Sequence, residues 1–198
     1  GLDKRHLSRE RLFGSVAREF GRADLILKEI GPRHARLRAA LALAYSRQVA
    51  SPHVRRLVEA TRAEVRRWPQ AAKLGVVRHA KALAFEQYRV LLGSPPIAFS
   101  DCLLMTDYLM NVGARLLPSL VFSMPWYRRA HRRTYGAITD AARRARDEGP
   151  TGGAPTVIDA LWKVRDAAGT ALTEPEVVGY AAYGVGASIG YVGRLTAF

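Results

Sequence analysis

The sequence predicts an all-α fold. Three observations carry that reading: apolar residues recur at helical spacing in segment after segment, prolines and glycines stand between those segments, and no alternating apolar-polar run of strand length occurs. About eight helices are expected, in one helical domain over residues 1–198.

Leu7 to Phe20 is a short, weakly amphipathic helix candidate, closed by Gly21 and followed by the apolar run Leu25, Ile26 and Leu27. Pro32 opens the next helix, Gly31 to Ser46, whose alanines and leucines give it high helical propensity. Ser51 and Pro52 read as the N-cap and first-turn residues of a third. There Val54, Leu57, Val58, Thr61, Val65 and Trp68 recur at helical spacing, while Arg55, Arg56, Arg62, Arg66 and Arg67 point elsewhere. Pro69 and Gly75 punctuate the chain before a helix from about Val76 to Leu92, which is expected to bury Leu83, Phe85, Tyr88 and Leu91 in some combination. Gly93-Ser94-Pro95-Pro96 stops it.

Phe99 to Val112 is the next helix, with Leu103, Leu104, Tyr108 and Leu109 as its apolar face, and Leu116 to Pro125 is looser. Trp126 to Glu148 reads as a long, basic helix carrying Arg128, Arg129, Arg132, Arg133, Arg143, Arg144 and Arg146. Gly149 to Pro155 is a loop, Thr156 to Asp166 a short helix, and Ala168-Gly169 the turn into the last one.

That last stretch, Leu172 to Phe198, is the one the others are arranged around. Thr173 with Glu176 forms a capping-box pattern, and Pro175 falls in the first turn, where its missing N–H costs nothing. From Val177 to Gly193 no charge interrupts it, so burial on most sides is expected rather than a single stripe. Gly179, Gly184, Gly186, Gly190 and Gly193 each cost about 1 kcal/mol relative to alanine in a helix interior, which close approach of a backbone or a flat ligand would offset. The uncharged run is at the lower edge of bilayer-spanning length, and Glu174, Glu176 and Arg194 flank it, so no membrane span is expected despite the Gly186/Gly190 pair.

Hydrophobic residues make up 48% of the chain, enough for a real core. The one cysteine, Cys102, excludes a disulfide framework and a cysteine-based zinc site and points to a reducing, cytoplasmic compartment. Net charge is +14, mostly from arginine, a balance that suits nucleic acid, anionic lipid or an acidic protein. No aromatic residues interleave the basic runs as base stacking requires, so the arginines are expected on solvated helix faces and no nucleic acid is expected as a partner.

The common catalytic motifs are missing: no Gly-x-Ser-x-Gly elbow, phosphate loop, His-Glu-x-x-His or carboxylate cluster at metal-ligand spacing. Of the histidines, His6, His53, His79 and His131 lie in arginine-rich surroundings where exposure is expected. His34 is different. It stands one helical turn before Arg38, near a helix start whose free N–H groups and dipole favour anions, so the two could clasp a carboxylate.

Gly31-Pro32-Arg33-His34-Ala35-Arg36-Leu37-Arg38, running on to Tyr45-Ser46, resembles the helix C segment of the cytochrome P-450 family, with its His-x-x-x-Arg and aromatic-Ser/Thr end. Leu91-Leu92-Gly93 looks like the end of that family's helix E, and Leu117-Pro118 through Trp126-Tyr127-Arg128-Arg129-Ala130 is similar to its F–G region leading into helix G. Thr156 to Gly169, then Leu172 to Gly179, resembles helix H and the start of helix I. The order and spacing cover nearly the whole chain, from just before helix C to within helix I.

The resemblance implies a P-450-like helical domain lacking the β-rich part and the haem-ligand loop. It places His34 and Arg38 at the haem propionates, lays the final helix across the distal face of the haem, and makes Phe99 to Trp126 the mobile roof over the substrate. At the family's Ala/Gly-Gly-x-Asp/Glu-Thr motif stand Ala187-Ser188-Ile189-Gly190-Tyr191, so Gly190 and Tyr191 occupy the positions of the acid and the alcohol that relay protons. Cofactor contacts are therefore expected from His34, Arg38, Ala187, Ser188, Gly190 and Tyr191, with no metal ligand in this chain. The family's thiolate cysteine lies beyond helix I, and Cys102 falls in the F-like segment. The implied function is that of a haem-thiolate oxidoreductase, a monooxygenase of small hydrophobic substrates fed by a ferredoxin or flavoprotein, present here as a fragment or reduced relative that is inactive alone.

Two other classes compete. An all-helical, ligand-responsive DNA-binding regulator would suit the size and basicity but needs a helix-turn-helix, for which Leu7 to Lys28 offers Gly14 and Gly21 and no convincing recognition helix. A non-catalytic helical interaction module would use the final helix to dock on a partner or to self-associate.

Overall fold

The structure is a computed structural model and describes Arg38 and residues 41–68, 75–113, 116–150, 154–165 and 169–192, the last two of these as backbone. The helix candidate Leu7 to Phe20, the run Leu25 to Leu27, and His34 lie outside the described residues.

Residues 41–44 are helical, and the chain turns at Tyr45 and Ser46 into a short helix, α1 (Arg47–Ala50). Ser51 and Pro52 do not open the next α-helix. They form a 3-10 turn with His53, and α2 begins one residue later (Val54–Val65). Tertiary packing decides that offset: His53 is buried, and its Nε2–H donates to the Pro155 carbonyl at 3.1 Å, tying this turn to a loop about a hundred residues on.

The apolar spacing in α2 marks its covered side only in part, at Leu57, Thr61 and, just past its end, Trp68. Val54, Val58 and Val65 are exposed, while Leu57 and Thr61 are half-buried and Glu64 is buried. Thr61 receives a hydrogen bond from Gln87 at 3.0 Å across to the neighbouring helix, so the contact is polar where the valine pattern pointed to an apolar one.

Helix α3 (Val76–Leu91) buries Phe85, Ala80, Ala84 and Val90, with Tyr88 and Leu91 half-buried against the core. It ends where Gly93 turns left-handed at φ 87°, and Ser94 follows at φ 60°, a conformation that L side chains rarely adopt. Helix α4 (Phe99–Gly113) buries Cys102, Met105, Thr106, Leu109 and Val112, so of the expected apolar face Leu109 is buried while Leu103, Leu104 and Tyr108 are half-buried against the core. The Lys81 ammonium on α3 donates to the Asp107 carboxylate on α4 at 2.8 Å.

A 3-10 turn (Ser119–Ser123) leads into α5 (Pro125–Glu148), which buries Tyr127, Ala130, Thr134, Ile138 and Ala142 at spacings of three and four and leaves its arginines outside. Helix α6 (Val157–Lys163) is shorter than expected. A capping box starts it: the Thr156 N–H and hydroxyl both donate to Asp159 Oδ2 at 2.7 Å, and the Asp159 N–H donates back at 3.2 Å. Val164 is already extended, and Arg165 makes an isolated antiparallel bridge with Ala171. Gly169 then turns at φ 78°.

The last helix, α7 (Glu174–Ala187), continues into a π-helical turn (Ser188–Val192). Its capping box is present, with the Thr173 N–H and hydroxyl donating to Glu176 at 2.7 and 2.8 Å. Helices α3 and α4 pack on both α7 and its π turn, and α5 and α6 pack on α7. Residues 177–182, 184, 185 and 188–190 are buried, so the burial on most sides expected from its charge-free sequence is realised within the chain. No strand occurs among the described residues, and no described helix is long and apolar enough to cross a membrane.

Candidate functional site

The π-helical turn is where the backbone of the central helix departs from regularity. It comprises Ser188, Ile189, Gly190, Tyr191 and Val192. A π turn interrupts the i→i+4 ladder and survives where packing holds it, often beside a functional site.

Of the residues expected to touch a cofactor, Ala187 is half-buried at the end of α7 and belongs with half-buried Tyr183 and Gly186 to its one partly open face. Ser188 turns away from that role: it is buried, and its hydroxyl donates to the Val185 carbonyl at 2.8 Å. Gly190 is closed off by α4, since a Cβ there would stand 3.4 Å from Thr106 Cγ2 and 3.8 Å from Met110 Sδ. That side of the glycine is therefore covered by a neighbouring helix rather than open to a ring. Tyr191 contributes backbone to the π turn, and its side chain lies outside the described residues. Arg38 is helical and exposed, and among the described residues no carboxylate pairs with it. Its expected companion His34, and with it the clasp, lies outside the described residues.

Gly184 accommodates another part of the chain. A Cβ at this position would overlap the Tyr88 hydroxyl and the ring carbon that bears it, so the phenol of α3 occupies the notch. The Tyr88 hydroxyl faces the Tyr45 hydroxyl at 3.4 Å, and Tyr45 donates to the Tyr180 carbonyl on α7 at 2.8 Å. The outer part of the Tyr45 ring stays in solvent, leaving it 42% exposed, yet its hydroxyl end is enclosed. Burial pushes that phenol up to about 12 and the Tyr88 phenol well above the ordinary tyrosine value, so both stay protonated. The segment after Arg38 is thereby pinned to the central helix. Sequence reading identified the aromatic at position 45 and the glycine at 184, but nothing in the sequence says that they share a tyrosine.

Cys102 is 2% exposed on the inner face of α4, with its Sγ 3.9 Å from Thr134 Oγ1. Burial pushes its thiol up to about 12, so it is neither a thiolate nor open to a metal. No group of His, Cys, Asp and Glu able to hold a metal ion occurs among the described residues. The described histidines are less exposed than expected: His53 is buried, His79 packs on Trp68, and His131 stacks on Tyr135 at 4.1 Å between centroids. A cleft of about 570 Å³ between Arg56, Ser94, Arg144 and Thr156 is lined by no residue of α7.

As a test of fit to a haem, the partly open strip carries Gly186 and Ala187, which project nothing beyond a methyl, beside the larger Tyr183. The described residues supply no axial thiolate. No family model matches the chain, and no curated protein matches it.

Proposed function

We propose that this chain forms the distal, propionate-binding part of a cytochrome P-450-like haem-thiolate oxidoreductase of the monooxygenase kind. The observation that carries the reading is the π-helical turn Ser188–Val192: the backbone irregularity falls on the residues aligned with the family's oxygen-site motif, at the end of a helix buried by four others. The order of the helices, with a long basic α5 before a short α6 and the central α7, is in keeping with it.

In this reading Gly186 and Ala187 give the ring room on the partly open face of α7, and Arg38 neutralises a propionate by a charge-assisted hydrogen bond. Tyr45 holds the Arg38 segment against α7. When bound with its thiolate, the haem supplies the chemistry of oxygen insertion into a small hydrophobic substrate, with electrons from a ferredoxin or flavoprotein by resemblance. Gly190 has no acid or alcohol to offer a proton, so this chain contributes binding and enclosure.

Haemin titration followed in the Soret band is the test. Saturable binding is expected, weakened about tenfold by Arg38→Ala, the size of a lost hydrogen bond to a charged group, and weakened also by Ala187→Phe, which fills the strip. Reduction with dithionite under carbon monoxide should give no thiolate-type Soret shift. Absence of saturable binding, or indifference to both substitutions, overturns the proposal; a thiolate-type shift overturns the account of Cys102.

A further inference from the structure

The cleft of about 570 Å³ opens between α2, the turn after α3, the last turns of α5 and the start of α6, and a ring of hydrogen bonds ties these four together. His53, which leads into α2, donates through Nε2–H to the Pro155 carbonyl just ahead of α6 at 3.1 Å. The Trp162 Nε1–H on α6 donates to the Ala142 carbonyl on α5 at 2.9 Å. Arg56 on α2 donates to the Ser94 hydroxyl at 3.1 Å, which joins α2 to the turn after α3. That turn is held under strain: Gly93 and Ser94 are left-handed in succession, at φ 87° and 60°, and a Cβ on Gly93 would stand 3.3 Å from Thr156 Cγ2. A serine keeps such a backbone only where its surroundings over-determine it, and residues of this kind cluster at ligand clamps. The cleft is thus a preformed space of ligand size, with its walls fixed to one another.

The lining divides by chemistry. Leu92 and Ile158 are buried and Ala141 and Ala145 half-buried, which gives the cleft an aliphatic wall. Its exposed side chains are charged: Arg56 comes from α2, and Arg144 and Glu148 stand one turn apart on α5. Asp159 lines it as well, but its Oδ2 is engaged by the Thr156 N–H and hydroxyl. We infer that this cleft binds a short aliphatic peptide with free ends, its carboxylate meeting the Arg56 and Arg144 guanidiniums, its ammonium meeting Glu148 and its side chains lying along Leu92 and Ile158. Charge of both signs selects a zwitterion, because Glu148 repels a simple anion. A guanidinium carries five N–H donors, so the bond to Ser94 leaves Arg56 donors for a carboxylate. None of the residues lining the cleft is aromatic, so a nucleotide base finds nothing to stack on. The inference is independent of the haem reading.

The test titrates the whole chain with leucyl-leucine and follows backbone amide shifts by NMR. Saturable shifts are expected at Gly93, Ser94, Arg144 and Ala145. Arg144→Gln should weaken leucyl-leucine by about threefold to tenfold, the range for a solvent-facing hydrogen bond between charged groups. Glu148→Gln should weaken it by a similar factor yet leave N-acetyl-leucyl-leucine, which has no ammonium, unchanged. The C-terminal amide of leucyl-leucine should bind more weakly than the parent peptide and be indifferent to Arg144→Gln. All three altered side chains and ends are at the solvent face, so thermal unfolding of both variants should match the parent and separate a lost contact from a lost fold. Absence of saturable shifts at these amides, equal binding of the free, acetylated and amidated peptides, or tighter binding of inorganic phosphate than of leucyl-leucine overturns the inference.

Discussion

The phenol of Tyr88 fills the notch that Gly184 leaves in the central helix. Gly184→Ala is therefore expected to destabilise the protein, although alanine is the better helix former by about 1 kcal/mol. Overpacking against the ring should outweigh that gain and cost about 1–3 kcal/mol net in urea unfolding. In a Tyr88→Ala background the same change should turn stabilising, because the obstructing ring is gone. A destabilisation by Gly184→Ala that Tyr88→Ala leaves untouched would show that the notch has another occupant.

Tyr45 couples the segment after Arg38 to α7 through one hydrogen bond. Tyr45→Phe should cost about 1 kcal/mol, the usual net value of such a bond. The pH dependence has a definite sign. Folding raises the Tyr45 phenol from 10.0 to about 12, so its contribution is complete below pH 10 and is lost as pH rises through about 12. Unfolding experiments above pH 10 should find the parent losing stability more steeply than Tyr45→Phe.

Cys102 should be inert in the native state. Folding raises its thiol from 9.0 to about 12, which stabilises the native protein below pH 9 and fades as pH climbs through the higher value. A chromogenic disulfide reagent is expected to leave it unmodified at neutral pH and to react fully once the protein is unfolded in urea. Rapid modification without denaturant would contradict its enclosure between α4 and α5.

Glu174 joins the start of α7 to the end of α5, accepting from Arg143 at 2.9 and 3.0 Å and from Arg146 at 3.1 Å. The Arg143 hydrogen bonds hold its carboxyl below the ordinary 4.5. A depressed carboxylate contributes above its unfolded value and stops contributing as pH falls through its folded one. Glu174→Gln should therefore flatten part of the acid limb of the stability profile below about pH 4.5, and added salt should shrink the difference because the pairs are at the surface. Identical acid limbs for parent and variant would remove this link.

The helices were legible because their signals are local. Thr173-Glu174-Pro175-Glu176 carries the capping box that starts α7 whatever surrounds it, Gly93 and Ser94 carry the stop of α3, and the charge-free run from Val177 made burial on most sides the economical outcome. The candidate site was legible only as a set of positions. Ser188 and Gly190 were expected to face a ring; one hydrogen-bonds its own helix and the other is closed by Thr106 and Met110. The second outcome depends on how α4 lies against the π turn, which no local pattern encodes.

The sequence by itself determined an all-helical chain with a buried, glycine-bearing final helix, since capping, proline placement and apolar periodicity act within a few residues of one another. Only the tertiary structure decided which side of α2 is covered, that His53 reaches Pro155, and that Gly184 receives Tyr88. Those contacts join residues far apart in the chain, and their energies arise from close packing and hydrogen-bond geometry that exist only after the helices have met.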